Sequence, residues 1–197
     1  MDPVNLLVAV NIIATLGANV SSAKKGVKSA LADVKKRPKS FLQKTPLNIA
    51  AVLILLQILG IFNLGSISNF GINVEEYQNL RAVGLLMFIV FSWLQIKSFK
   101  SLGKNYSQQV VVYKKHELVT TGFYKVIRHP QYLFQILSDL GAGIALLNYL
   151  ILPTVILVLI PLLLMRAKLE EELLHDEFKD EFVEYKKKSG FFVPFIG

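Results

Sequence analysis

The 197-residue sequence has no cysteine, one tryptophan, three methionines and only 18% charged residues. Without cysteine there is no disulfide framework, no thiol nucleophile and no thiolate-bound zinc, and the redox compartment leaves no trace. The charge content falls well below the ~25% of an ordinary soluble domain. In its place stand 53% apolar residues and a mean hydropathy of +0.47. That composition excludes intrinsic disorder, because disordered chains lack apolar residues to bury. No metal-ligating triad, phosphate loop, glycine-rich dinucleotide turn or serine nucleophile elbow occurs, and no internal repeat or low-complexity stretch is visible.

The apolar residues arrive in runs. Residues 3–23 and 45–74 carry no charge, 82–96 is a shorter run between Arg81 and Lys97, and 132–165 contains only Asp139. A helix needs about 20 mainly apolar residues to cross a hydrocarbon core of ~30 Å. The first two runs suffice, and the third does so if Arg81 and Lys97 extend their charged ends to the interface. The fourth is too long for one crossing. Asn148-Tyr149 near its middle, with Pro153 just after, places a turn there. Its legs are then residues 131–147 and 150–166. The expected fold is an all-α integral membrane protein with about five transmembrane helices, the last two a helical hairpin. It forms one domain over 1–197, with the first three helices in 1–99 and the rest in 100–197. The first run lacks the basic start of a secretory signal, opening Met1-Asp2.

Charge placement orients this chain. Every basic residue but Arg81 falls in one of three segments: Lys24 to Lys44, Lys97 to Arg128, and Arg166 to Lys188. The loop at 65–79 has no basic residue and carries Glu75 and Glu76. Five alternating crossings put all three basic segments on one side, which the positive-inside rule makes cytoplasmic. The N-terminus is then outside or lumenal and the C-terminus inside. The net charge of +8 becomes orientation charge rather than a nucleic-acid surface. Lys35-Lys36-Arg37-Pro38-Lys39 is simplest as a basic loop on an anionic leaflet, with a regulatory or lipid-selecting role as the second reading.

Polar residues gather in two places at that cytoplasmic face. The first runs from His116 to Tyr132. Gly122 permits a tight turn, and Pro130 suits the first turn of the fourth helix. His129 then sits at a helix N-terminus, where free N–H groups favour a carboxylate, and Tyr124 and Tyr132 add hydroxyls. This is either a capture site for an anionic or zwitterionic small molecule or an aromatic-basic membrane anchor. The second is Arg166-Ala167-Lys168-Leu169-Glu170-Glu171-Glu172. Arg166 and Glu170 are four apart on one helix face, either an ordinary ion pair or a carboxylate-orienting fork beside an acceptor for hydroxyls and amines. Phe178, Phe182 and Tyr185 recur at helical spacing and suggest a cytoplasmic C-terminal amphipathic helix. Asp139, inside the fourth helix, is a secondary candidate. His175 lies in a charged stretch and needs no role.

Leu118-Val119-Thr120-Thr121-Gly122-Phe123-Tyr124, Arg128-His129-Pro130-Gln131-Tyr132, Glu170-Glu171-Glu172, Glu184-Tyr185-Lys186-Lys187 and Pro194-Phe195-Ile196 together resemble the isoprenylcysteine carboxyl methyltransferase family, within the broader group of membrane phospholipid methyltransferases. The likeness covers roughly residues 100–197, and the first half matches only as a hydropathy pattern. The resemblance implies S-adenosylmethionine as cofactor. It assigns cofactor contacts to Gln109, to His116, Glu117, Leu118 and Val119, to Tyr124, to His129, Pro130, Gln131 and Tyr132, and to Glu170. It assigns Arg166 to the substrate carboxylate, and no metal. The implied reaction is methyl esterification of a prenylated cysteine among membrane lipids, with Arg166 and Glu170 as the catalytic pair. Phospholipid N-methylation is the alternative. An NADPH-dependent sterol-reductase relative is disfavoured by Gln131 and by Leu133-Phe134-Gln135, and a non-catalytic scaffold by the intact His129, Tyr132, Arg166 and Glu170.

Overall fold

The computed structural model of the chain describes residues 2–30, 34–194 and 196. Helix α1 is Pro3–Ala30, α2 Thr45–Ile61, α3 Gln78–Ser101, α4 Pro130–Ala145, α5 Ile151–Phe178 and α6 Asp180–Lys188. Prolines sit in the first turns of α2 and α4, where a missing N–H costs nothing. In α5 the backbone widens to a π turn over Val155–Leu159, just before Pro161, which has no N–H to return to the carbonyl four residues back. Two short strands, β1 (Val34–Lys36) and β2 (Val112–Tyr113), pair antiparallel with Val34 opposite Tyr113 and Lys36 opposite Val112.

Several boundaries differ from the sequence-based expectation. The backbone stays helical to Ala30, through Lys24, Lys25 and Lys28, which charge patterning had assigned to a loop. Residues 34–36 of the basic stretch are a strand, with Lys35 and Lys36 turned to Glu177 at 2.5 and 3.9 Å. Helix α5 runs through Arg166 and the acidic triplet without a break and ends at Phe178. Lys179 then takes a positive φ of 45°, so Phe178 belongs to a different helix from Phe182 and Tyr185. Phe195 lies outside the described residues.

Close backbone approach sets the position of α4. A Cβ on Gly141 would come within 2.5 Å of the Phe88 nitrogen, and one on Gly84 within 2.5 Å of the Ala145 nitrogen. Only glycine lets α3 and α4 cross at this distance, the small-residue packing typical of membrane helices. The crossing is fixed at one end by Arg81, which corrects the expectation of an interfacial Arg81. The side chain is only 2% exposed, and its guanidinium donates to Asp2 Oδ1 and Oδ2, Asn5 Oδ1 and the Ala145 carbonyl at 2.7–3.0 Å. A charge in that position is held by an opposite charge and two neutral acceptors, so it has no need to reach water. Asn148 makes the hairpin turn. It donates to the Leu64 carbonyl at 2.9 Å and accepts from the Leu150 and Ile151 nitrogens at 2.9 and 3.1 Å, capping α5.

Val8, Leu53, Ile151, Val155 and Leu159 are fully buried at the centre of the helices. Outside them the surface is apolar too: Ile13, Leu86 and Leu157 are each more than 60% exposed. Val74–Ser101 and Ile151–Phe178 are long and apolar enough to cross a membrane, and Pro3–Asn19 and Thr45–Ile61 are shorter apolar helices. A bundle apolar both inside and out is that of an integral membrane protein. Asp139 faces this interior, accepting from Gln57 Nε2 of α2 at 2.8 Å.

Candidate active site

The turn before α4 is built by the end of the chain. After α6 the backbone runs alongside it: Gly190 N donates to the Val126 carbonyl at 3.0 Å, Arg128 N to the Gly190 carbonyl at 2.8 Å, and His129 N to the Phe191 carbonyl at 3.3 Å. Helix α6 buries Phe182 and Tyr185, and the Tyr185 hydroxyl donates to the Tyr124 carbonyl at 2.6 Å. Gly122, at φ 61°, supplies the preceding turn.

Charged groups converge from α4, α5 and α6. Arg128 Nε donates to Glu171 Oε1 at 2.5 Å, and its Nη1 to the Ser189 carbonyl. Lys186 Nζ lies 2.9 Å from Glu171 Oε2. The His129 ring is held between two carboxylates, with Nε2 3.4 Å from Glu171 Oε1 and Nδ1 3.7 Å from Glu170 Oε2. It stacks on Tyr132 at 5.8 Å and meets Phe191 edge-on at 5.0 Å. The Tyr132 hydroxyl donates to Glu170 Oε1 and accepts from Arg166 Nε at 2.8 Å. Arg166 Nη1 and Nη2 donate to the Leu42 and Gln108 carbonyls at 3.3 and 2.5 Å. A guanidinium has five N–H groups, so each η nitrogen keeps one more to give.

Beside this network opens a cavity lined by both apolar and polar side chains, the general character of a small-molecule site. Its walls come from three stretches, residues 102–119, 124–132 and 170–185. The charged lining includes three carboxylates, Glu117, Glu170 and Glu171, together with Arg128. His116 also lines it, and its Nδ1 is buried with no hydrogen-bond partner among the described residues. A buried, unpaired ring nitrogen is costly unless something meets it, which fits a site that takes a ligand with its own polar atoms. Burial holds the His116 pKa below its ordinary value, against the opposing pull of Glu177 and Glu117, so the ring is neutral at neutral pH. Burial also pushes the Tyr124 phenol well up and the Tyr185 phenol up to about 12. Both therefore remain protonated hydrogen-bond donors. No group of three His, Cys, Asp or Glu side chains suited to a metal occurs among the described residues.

Of the residues singled out by sequence, Gln109, His116, Glu117, Leu118, Val119, Tyr124, His129, Gln131, Tyr132 and Glu170 line this cavity, and Pro130 and Arg166 do not. Pro130 is buried in the first turn of α4. Arg166 stands one contact behind the wall, reached through the Tyr132 hydroxyl at 2.8 Å and directly through Glu170 Oε1 at 3.4 Å, the i,i+4 pair expected from the sequence. His129 is the N-cap residue of α4, as the sequence indicated, and its ring is met by two glutamates. His175 packs edge-on against Phe182 at 6.5 Å. Sequence reasoning missed Arg128 and Glu171, although both adjoin residues it named. It also missed Asn105 and Ser107 in the wall, which no motif marks.

Residues 82–176 match the model of the isoprenylcysteine carboxyl methyltransferase (ICMT) family. Protein-S-isoprenylcysteine O-methyltransferase of Saccharomyces cerevisiae is 35% identical over 116 residues, 58% of this chain and 48% of the yeast protein. The protein of that name from Tribolium castaneum is 30% identical over 125 residues, 62% of this chain and 44% of the beetle protein. The chain thus spans about half the length of these curated relatives. Among solved structures, the eukaryotic intramembrane Ras methyltransferase ICMT superposes with a TM-score of 0.66 at 21% identity, covering 100% of this chain and 69% of that one. The fold is therefore shared with that enzyme.

Proposed function

We propose that this chain is a membrane methyltransferase that uses S-adenosylmethionine to esterify the α-carboxylate of a C-terminal prenylated cysteine. One observation carries the reading: the cavity brings together ten of the eleven residues that the resemblance assigns to the methyl donor, from three separate stretches of chain. The donor carries a cationic sulfonium and an amino group. Glu117, Glu170 and Glu171 are the groups that would face such charge, and the His116 ring lines the same cavity with an Nδ1 that has no hydrogen-bond partner among the described residues. When bound, S-adenosylmethionine supplies an electrophilic methyl group.

The protein's own part is positioning. A carboxylate is already ionised at neutral pH, so no side chain need remove a proton before its oxygen attacks. Holding acceptor and donor at contact distance away from water is worth several kcal/mol. The unused η N–H groups of Arg166 orient the acceptor carboxylate. Tyr132 ties that arginine to Glu170, so the acceptor and donor sides share one hydrogen-bonded link. In this proposal five helices cross the bilayer with the N-terminus outside or lumenal. The cavity opens to the cytoplasm, and the prenyl chain lies among the helices.

Calorimetric titration of S-adenosylmethionine into the purified protein tests the site. The native protein binds, and Glu170→Ala, which loses a charged acceptor, weakens binding by about tenfold or more. Absence of binding to the native protein, or unchanged affinity in the variant, refutes the assignment.

A further inference from the structure

Gln43 lies in the loop between β1 and α2, outside residues 82–176. Its carboxamide grips both main-chain polar groups of Val110: Nε2 donates to the Val110 carbonyl at 2.9 Å, and Oε1 accepts from the Val110 nitrogen at 2.9 Å. The same Nε2 donates to the Pro38 carbonyl at 3.1 Å. Val110 is 2% exposed and, with Gln109, Val111 and Val112, forms part of the cavity wall. A wall strand needs a partner for its buried N–H and C=O, and at Val110 that partner is a side chain acting as a neighbouring strand would. Two residues further on, β1 takes over by pairing with β2. At its far side the loop is tied down by Lys35 to Glu177 at 2.5 Å. The adjacent Leu42 carbonyl receives Arg166 Nη1, while Nη2 of the same arginine holds the Gln108 carbonyl. Residues 34–43 are therefore a strap laid along residues 108–113, and Gln43 is its clasp.

We infer that Gln43 is a positioning residue for the methyl-donor site, setting the wall at Val110 from outside the cavity. This rests on the reading of the cavity under Proposed function. Gln43→Met keeps the length of the side chain and removes all three hydrogen bonds. Gln43→Glu keeps the shape and the acceptor but turns a carboxylate toward two carbonyls. Each net hydrogen bond is worth about a factor of ten at most, so either variant raises the Kd for S-adenosylhomocysteine and the KM for S-adenosylmethionine about tenfold. The KM for a prenylcysteine acceptor stays within about twofold, because Arg166 retains Tyr132 and Gln108. If Gln43→Met gives no folded protein, Gln43→Glu decides the question. A donor Kd within about twofold of native overturns the inference, and so does an equal loss for donor and acceptor, which would mark Gln43 as general support. Failure of the native protein to bind either nucleoside overturns instead the reading of the cavity itself.

Discussion

Glu171 is met by two cationic side chains and an imidazole, and its removal gives a graded prediction. It neutralises Arg128, whose side chain is 2% exposed, and also meets Lys186 and His129. Stripping one partner from a buried ion pair costs ~3–5 kcal/mol. Arg128 keeps the Ser189 and Lys186 carbonyls as neutral acceptors, so Glu171→Ala falls at the low end, about 3 kcal/mol. Glu171→Gln retains one acceptor for Arg128 Nε and loses only the charge, about 1 kcal/mol. For a chain of this size each kcal/mol lowers the melting midpoint by ~2–4 °C. The expected drops are therefore about 6–12 °C for alanine and about 2–4 °C for glutamine. Because the chain has no cysteine, thiol-reactive dyes cannot report unfolding. Intrinsic fluorescence from its one tryptophan and seven tyrosines can. Adding Arg128→Met to Glu171→Ala should recover part of the loss, since the buried charge that Glu171 neutralised is gone as well. A Glu171→Ala midpoint within about 1 °C of native, or no recovery in the double variant, would refute the reasoning.

Gly141→Ala places a methyl group 2.5 Å from the Phe88 nitrogen. It should lower the melting midpoint through ~1–3 kcal/mol of overpacking, whereas Gly17→Ala, with nothing within 4 Å, should leave it level or raise it. An unchanged Gly141→Ala midpoint would contradict the close α3–α4 crossing. His116 gives a pH dependence. Burial depresses its folded pKa below the ordinary 6.5, so the unfolded chain takes up the proton first as pH falls. Its stabilising contribution is complete above 6.5 and is lost as pH falls through the lower folded value. Melting midpoints measured from about pH 7 to pH 5 should therefore fall less steeply in His116→Gln than in the native chain. Parallel profiles would exclude the depressed pKa.

How much was legible in the sequence follows from which interactions are local. Runs carrying at most one charge located the five long helices among the described residues, because such a run leaves its mark residue by residue. The hairpin at Asn148 was equally plain, since turn chemistry sits in adjacent residues. Arg81 was misplaced because its partners Asp2 and Ala145 are distant in sequence, and an isolated arginine beside an apolar run looks like an interfacial charge. The cavity residues were found through motif resemblance, not through spacing. Spacing alone left the His116–Tyr132 segment balanced between a capture site and a membrane anchor. Gln43 carried no signal at all: a glutamine gripping a backbone 67 residues away belongs to no periodic pattern and no motif. Arg166 was correctly joined to Glu170 on one helix face, but nothing local could tell that Tyr132 would stand between it and the cavity.

The account turns on where the methyl group goes. Purified protein is incubated with methyl-labelled S-adenosylmethionine and either a farnesylated cysteine derivative or phosphatidylethanolamine vesicles, and the products are treated with base. The account predicts label on the prenylcysteine that base releases as methanol, the mark of a methyl ester. Base-stable label on the phospholipid, or no transfer to either acceptor, would contradict it.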